Sequence, residues 1–402
     1  MNELRKRGHD IVVRTLPADA EQLRTMGFEA SSIAPPIIKR TIDDWKANSP
    51  PAALIAATKT FVDRSRHETT DLRTAIEVEQ PDALYIDVNA WGASAMAEAS
   101  GLPWAVFAPY FMPIQDKGIP PWGLGLEPRR GLFASIRDAL GWRLMSHLFD
   151  LGLNGVNETR EGVGVRPFQH ATEFATNPPI LVSYTAEPFE YPRNWPENFR
   201  MVGPGIWEPP SENGLMLPPG DEPLILATCS TEFQNDGDII SSTLSALAGD
   251  KVRVIATSGS IDPDTFDIPA NARVERYAPH GEILKQASCV VCHGGMGITQ
   301  KALASGVPLC VIPFGRDQLE VARHVEVCEA GTRLPPKKLD PKTLRDAIHR
   351  AMKKTVGAER VQEAFREAGG AEAAADAVEE ILDGSTRHSR ATGEPSRRPA
   401  SA

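Results

Sequence analysis

Short apolar runs alternate with longer amphipathic stretches along almost the whole chain, and Gly or Pro punctuates nearly every change. Short runs bounded by turn residues read as strands covered on both faces, and the longer periodic stretches as helices. In the first half the pattern predicts a helix end at 2–7 capped by Gly8, a strand at 10–15 and a helix at 18–26 stopped by Gly27. A long helix at 51–80, a strand at 83–86 running into Asp87, a helix at 91–100 and a strand at 104–107 follow. Between 108 and 130 the pattern dissolves into Pro, Gly and aromatic residues before helical periodicity resumes at 132–160. An apolar loop of this length points to function, because backbone without secondary structure normally seeks solvent.

The clearest break is the proline run Pro188, Pro192, Pro196, Pro204, Pro209, Pro210, Pro218, Pro219 and Pro223, a stiff linker. Beyond it the strand–helix rhythm restarts, with strands at 223–228, 252–257, 273–276, 289–292, 307–312 and 332–334. Helices are predicted at 236–247, 281–286, 297–305, 318–328 and through 341–382, and a disordered tail after Asp383. The expected organisation is an N-terminal domain over 1–202, a linker over 203–222, a C-terminal domain over 223–383 and a tail over 384–402. Both domains read as α/β, doubly wound and Rossmann-like.

Composition narrows the function. The 402 residues carry 43 basic and 53 acidic side chains, a net charge of −10, which argues against a general nucleic-acid binder. Five irregularly spaced cysteines make no disulfide framework and read as reduced thiols. The first residues lack the apolar region of a signal peptide, and no apolar run approaches the roughly 20 residues of a membrane span. The reading is a soluble, cytoplasmic protein.

Chemistry concentrates at Val290-Val-Cys-His-Gly-Gly-Met-Gly297, where an apolar strand meets a glycine turn and a helix start. In an open parallel sheet ligands sit beyond the carboxyl ends of the strands, and a helix N-terminus there is an anion site. His293 adds a donor, and Gly295, Met296, Gly297 and Ile298 offer backbone N–H groups. The pattern lacks a P-loop lysine and is no dinucleotide fingerprint. One strand further, Asp317 and Gln318 reach the same edge, a carboxylate and carboxamide suited to vicinal sugar hydroxyls. Tyr277-Ala278-Pro-His280 ends another strand there, placed for a nucleobase, and the Cys229-Ser-Thr231 turn adds Ser230 and Thr231.

His293-Gly-Gly-Met-Gly297, Ala302-Leu-Ala-Ser-Gly-Val-Pro308, Pro313 and Asp317-Gln318 together resemble the donor-site signature of the GT-B nucleotide-sugar-dependent glycosyltransferases. The likeness is to the bacterial macrolide- and aglycone-modifying enzymes of the UDP-glycosyltransferase superfamily, and it spans nearly the whole chain. It implies two domains facing a cleft, a UDP- or dTDP-sugar as co-substrate, no cofactor, no metal, and a small apolar acceptor. By the resemblance His293 contacts the diphosphate, Asp317 and Gln318 the sugar, and 277–280 the base. Two positions depart from the family: Ile298 stands where Ser or Thr is usual, and Lys301 where a Glu often holds the ribose.

Family members invert the anomeric centre by direct displacement, using an N-terminal His oriented by an Asp; Asp87 matches that Asp. The first strand of the N-terminal domain and its Gly-rich loop, which normally carry the His, are missing from this chain, and His9 lies too late to replace it. A doubly wound sheet without its central strand leaves two edges unpaired, at about 1–3 kcal/mol per buried group. The expectation is a sequence started some tens of residues late and poorly folding in its first half. Trp91, Phe111 and Trp122, with the Trp142 region, are the expected acceptor wall. The alternative to an inverting, metal-independent hexosyltransferase is an inactive nucleotide-sugar-binding partner protein, with a nucleotide-sugar epimerase third.

Plainer readings accompany several motifs. Cys289 and Cys292 alternate on a buried strand and read as core thiols rather than zinc ligands. Asp236-Gly-Asp238 and Asp262-Pro-Asp264 read as caps and turns. Asp87 and His280 also suit helix caps, and the tail arginines solvated charge.

Overall fold

The structure is a computed structural model and describes residues 1–43, 46, 50–208, 216–230 and 238–392. The N-terminal domain runs α1 (Asn2–Lys6), β1 (Val12–Thr15), α2 (Pro17–Thr25), β2 (Glu29–Ser32), α3 (Pro35–Ile38), α4 (Pro50–Glu79), β3 (Leu84–Asp87), α5 (Trp91–Ser100) and β4 (Trp104–Ala108). It continues with α6 (Leu132–Asp150), α7 (Leu153–Gly162), α8 (Glu173–Thr176), β5 (Leu181–Ser183) and β6 (Phe199–Met201). The C-terminal domain opens with β7 (Leu224–Thr228), α9 (Asp238–Leu247), β8 (Arg253–Thr257), β9 (Ala272–Glu275), α10 (His280–Leu284), β10 (Ala287–Cys292) and α11 (Met296–Ala304). Then come β11 (Leu309–Val311), α12 (Gln318–Val327), β12 (Gly331–Arg333), α13 (Pro341–Ala351), α14 (Thr355–Glu367) and α15 (Gly370–Thr392).

The C-terminal sheet is six-stranded and parallel in the order β12-β11-β10-β7-β8-β9, with Val290 opposite both Leu226 and Leu309. All five residues of β7 are buried, because helices cover both faces of a parallel sheet. Reversal of strand order between β10 and β7 puts the switch point at the carboxyl ends that carry His293 and Ser230.

The N-terminal sheet is divided. β1 and β2 form a parallel pair, whereas β3, β4, β5 and β6 form a separate parallel sheet, so β1 and β3 each keep one free edge among the described residues. A cleft of about 460 Å³ lies between those edges, lined by Val12, Arg14, Leu84, Ile86 and Asp87 among others. The doubly wound pattern is thus present with its central position open. The rest of the domain is well packed: Leu84, Ile86, Val106 and Leu181 share one core. α4 lies so close to α5 that a Cβ on Gly92 would fall 1.8 Å from the Ser65 carbonyl oxygen.

Two boundaries differ from the sequence reading. The last helix, expected within the C-terminal domain, lays Ala377 and Ile381 against Ala105, Ile180 and Val182 of the N-terminal sheet. α15 also runs on to Thr392, into the stretch expected to be a disordered tail. The low-complexity composition that signalled disorder begins while the backbone still propagates from a docked helix. Asp236, Pro209, Pro210 and Thr231 lie outside the described residues.

Candidate active site in the interdomain cleft

β10 delivers His293 to the sheet edge, where it is buried. The next two residues are glycines for separate reasons. Gly294 adopts φ +92°, and an added Cβ would lie 2.7 Å from Val311 Cγ1. Gly295 lies under the imidazole, its added Cβ 2.4 Å from His293 Nε2. Gly295 is also the N-cap of α11 and supplies no side-chain cap, so the first-turn N–H groups have no intrahelical partner. Gly297 faces open space, with nothing within 4 Å of an added Cβ. His293 beside an open, uncapped helix start is an arrangement that accepts a diphosphate. Ile298 packs its side chain on the core, so its contribution at that helix start is its backbone N–H; Met296 is likewise buried in the core.

Beside this turn, His280 Nε2 lies 3.0 Å from Thr257 Oγ1, which donates to Thr228 Oγ1 at 2.9 Å. Thr257 spends its proton on Thr228, so His280 donates through Nε2. Burial, then the Lys301 charge, lowers the His280 pKa to about 4 and keeps the ring neutral. Tyr277 is 56% exposed at the same edge, while Ala278 is buried. Ser230 is buried where β7 ends. The Lys301 departure has a structural explanation: its ammonium donates to Glu208 Oε1 at 3.0 Å, and Glu208 Oε2 accepts the Gly281 N–H at 2.8 Å. Lys301 is therefore tied to the linker.

Asp317 precedes α12, and burial raises its carboxyl pKa. Arg316 just before it has a left-handed φ of +52°. Gln318 also has a local role. It is buried, and its Oε1 accepts the N–H groups of Phe314 (2.8 Å) and Gly315 (3.1 Å). Its oxygen holds the loop that presents Asp317.

On the opposing wall Asp87 ends β3. Its Oδ1 accepts both the Asn89 backbone N–H (2.7 Å) and Nδ2 (2.9 Å), and Asn89 Oδ1 accepts the Tyr110 hydroxyl at 2.7 Å. Burial raises the Asp87 pKa, and Asp87 and Asp317 both push the Tyr110 pKa further up, so Tyr110 feels the carboxylates of both domains. Asn89 and Tyr110 were missed in the sequence, although an Asx turn two residues after a strand-end Asp is a readable signal. His9 bonds Glu379 of α15 at 2.9 Å.

Of the expected acceptor wall, Phe111 and Trp142 are buried, whereas Trp91 and Trp122 are partly exposed. The Trp91 ring is held between Phe61 and Phe174 at 5.0 and 4.7 Å. Phe111 is buried and stacks on His324 of α12 at 4.0 Å. Trp122 packs on Phe149 and the core around Ile119, and Trp142 is buried with Nε1 donating to the Ile119 carbonyl. The 109–131 loop is a strap between domains: Glu320 Oε2 accepts the N–H groups of Gly123 and Gly125. Aromatic content reads as a binding surface in sequence; here the Phe111 and Trp142 rings are consumed by packing. All five cysteines are buried and unbridged, as core thiols should be, and Asp262 accepts the Asp264 N–H in a turn.

Known proteins confirm the architecture. Residues 241–382 match the family described as erythromycin biosynthesis protein CIII-like, C-terminal domain. 4'-Demethylrebeccamycin synthase of Lentzea aerocolonigenes is 28% identical over 340 residues, 80% of this chain and 77% of that protein. NDP-glycosyltransferase YjiC of Bacillus subtilis is 32% identical over 191 residues, 46% of this chain and 49% of its own length. The crystal structure of CalG4, the calicheamicin glycosyltransferase, superposes with a TM-score of 0.73 at 21% identity, covering 95% of this chain and 93% of that one. The chain has the GT-B fold, and its C-terminal part matches the erythromycin CIII-like family. His293 and the α11 start lie at the carboxyl edge of the C-terminal sheet, and Tyr110, bonded to Asn89 beside Asp87, is acted on by both Asp87 and Asp317. No described helix is long and apolar enough to cross a membrane.

Proposed function

We propose that this glycosyltransferase moves a hexose from a UDP- or dTDP-sugar to a hydroxyl of a small apolar aglycone, with inversion and without a metal. The carrying observation is the pairing of two walls: an uncapped α11 start with His293 on one side, and the Asp87–Asn89–Tyr110 chain on the other, with Tyr110 inside the fields of Asp87 and Asp317. The acceptor oxygen attacks the anomeric carbon as the bond to the diphosphate breaks. The leaving diphosphate takes the electron pair, and His293 with the α11 N–H groups stabilises its charge. Among the residues this chain supplies on that wall, the Asp87 carboxylate takes the hydroxyl proton, and Asn89 fixes that carboxylate through Oδ1. Relatives named for rebeccamycin and for nucleoside-diphosphate donors support this chemistry.

Asp87→Asn and His293→Ala test it together. The first should lower kcat at least about 100-fold with donor affinity unchanged, as for loss of an acid–base partner. The second should weaken UDP or dTDP binding at least about tenfold, the loss of one charge-assisted contact. Unchanged nucleotide affinity in His293→Ala would remove the donor-site assignment.

A further inference from the structure

α6 is packed with its more apolar edge outward. Ala134, Asp138, Trp142 and Met145 face the protein and are buried. The solvent side carries Phe133 at 89% exposure, Leu132 at 73% and Leu140 at 65%, with Ile136 and Leu144 about half exposed and Leu151 just beyond the helix. At 100° per residue, positions 132, 133, 136, 140, 144 and 151 fall within one arc of about 120°. The 19-residue helix makes that stripe about 28 Å long. Scattered exposed leucines need no account, but a continuous stripe does.

Charge identifies the occupant. The chain as a whole is acidic at −10, yet Arg129, Arg130, Arg137 and Arg143 border this stripe. Arg129 is neutralised by Glu127 and Arg137 by the buried Asp138. Arg130 and Arg143 make no ion pair among the described residues, and His147 lies on the same outer arc. A second copy of the chain docked about a twofold axis would set these cations against one another. An in-plane helix with an apolar face and flanking arginines is the pattern that settles at the headgroup–acyl boundary. We propose that α6 is a peripheral membrane-docking face that binds anionic phospholipid surfaces, inserting Phe133, Leu140 and Leu144 while Arg130 and Arg143 pair with headgroups. This placement is independent of the transferase reading.

The test is co-sedimentation with vesicles of equal phosphatidylglycerol and phosphatidylcholine, against pure phosphatidylcholine, in about 0.1 M salt, where screening is moderate. Binding to the anionic vesicles alone is expected. Arg130→Gln and Arg143→Gln should each weaken it about fivefold, and Phe133→Ser with Leu140→Ser should abolish it. These side chains are exposed, so circular dichroism and nucleotide binding should stay unchanged. No sedimentation with anionic vesicles would overturn the proposal. So would a concentration-dependent dimer in analytical ultracentrifugation that the Phe133→Ser, Leu140→Ser variant dissolves, or co-purification of an acidic protein that depends on the same residues while vesicles fail to bind.

Discussion

Lys301 Nζ stands 3.0 Å from Glu208 Oε1, across 93 residues of sequence, and both side chains are about four-fifths buried. The pair ties the linker to α11, and through Glu208 Oε2 to the start of α10. Burial pushes the Glu208 carboxyl up, but the Gly281 N–H and Lys301 outweigh it and hold its pKa low. Lys301→Met and Glu208→Gln should each cost about 1 kcal/mol, with strong non-additivity in the double variant by urea unfolding. Donor affinity in Lys301→Met should change less than about threefold. A tenfold loss would place the ammonium on the phosphates instead.

Gly295→Ala puts a methyl where the His293 imidazole lies, 2.4 Å from Nε2. The ring must swing away from the α11 start. Calorimetric titration should show nucleoside diphosphate binding weakened about tenfold or more, with the thermal midpoint lowered only slightly.

Glu320 fastens the interdomain strap through the Gly123 and Gly125 N–H groups, at 3.1 and 3.2 Å. Glu320→Gln keeps the shape but removes the charge from both bonds. A loss of about 2 kcal/mol is expected, together with faster proteolytic cutting between 123 and 131. Resistance equal to the parent protein would show that packing alone holds the strap.

Glu68 is buried on α4, and burial raises its carboxyl pKa to about 7 although Oε2 accepts the Gly92 N–H. Between about pH 4.5 and 7 the folded protein therefore binds more protons here than the unfolded chain. This group's contribution to stability falls as pH rises through that window, by up to about 3 kcal/mol. His280, lowered from 6.5 to about 4, acts oppositely: the unfolded chain holds its proton first, so stability rises with pH between about 4 and 6.5. Urea unfolding of Glu68→Gln at pH 5 and pH 8 should isolate the first effect, the variant losing the decline at high pH.

The divided N-terminal sheet is open to hydrogen exchange. β3 bonds to β4 through the N–H groups of Leu84 and, by alternation, Ile86, which leaves those of Tyr85 and Asp87 directed at the free edge. Tyr85 and Asp87 amides should exchange at least about tenfold faster than those of Leu84 and Ile86, a local opening contrast typical of unpaired edges. Equal protection would mean the edge is paired in solution.

Strand–turn–helix signals survived the passage from sequence to structure because their causes are local. An apolar run ending in glycines folds as strand and turn whatever surrounds it, so β10, the His293 turn and α11 stand within a residue or two of expectation. Asp87 at the end of β3 and the buried cysteines were legible for the same reason.

Partner choice was not local, and there the sequence fell short. Phe111 has the chemistry of a ligand contact, yet it stacks on His324. α15 returns to the N-terminal sheet because its apolar face matches residues some 200 to 270 positions away, an affinity no window of sequence contains. By itself the sequence determined the two-domain parallel-sheet pattern and the glycine turn at His293. Tertiary structure decided which polar groups stay free for a ligand, since a side chain's burial and bonds depend on neighbours brought in from distant parts of the chain.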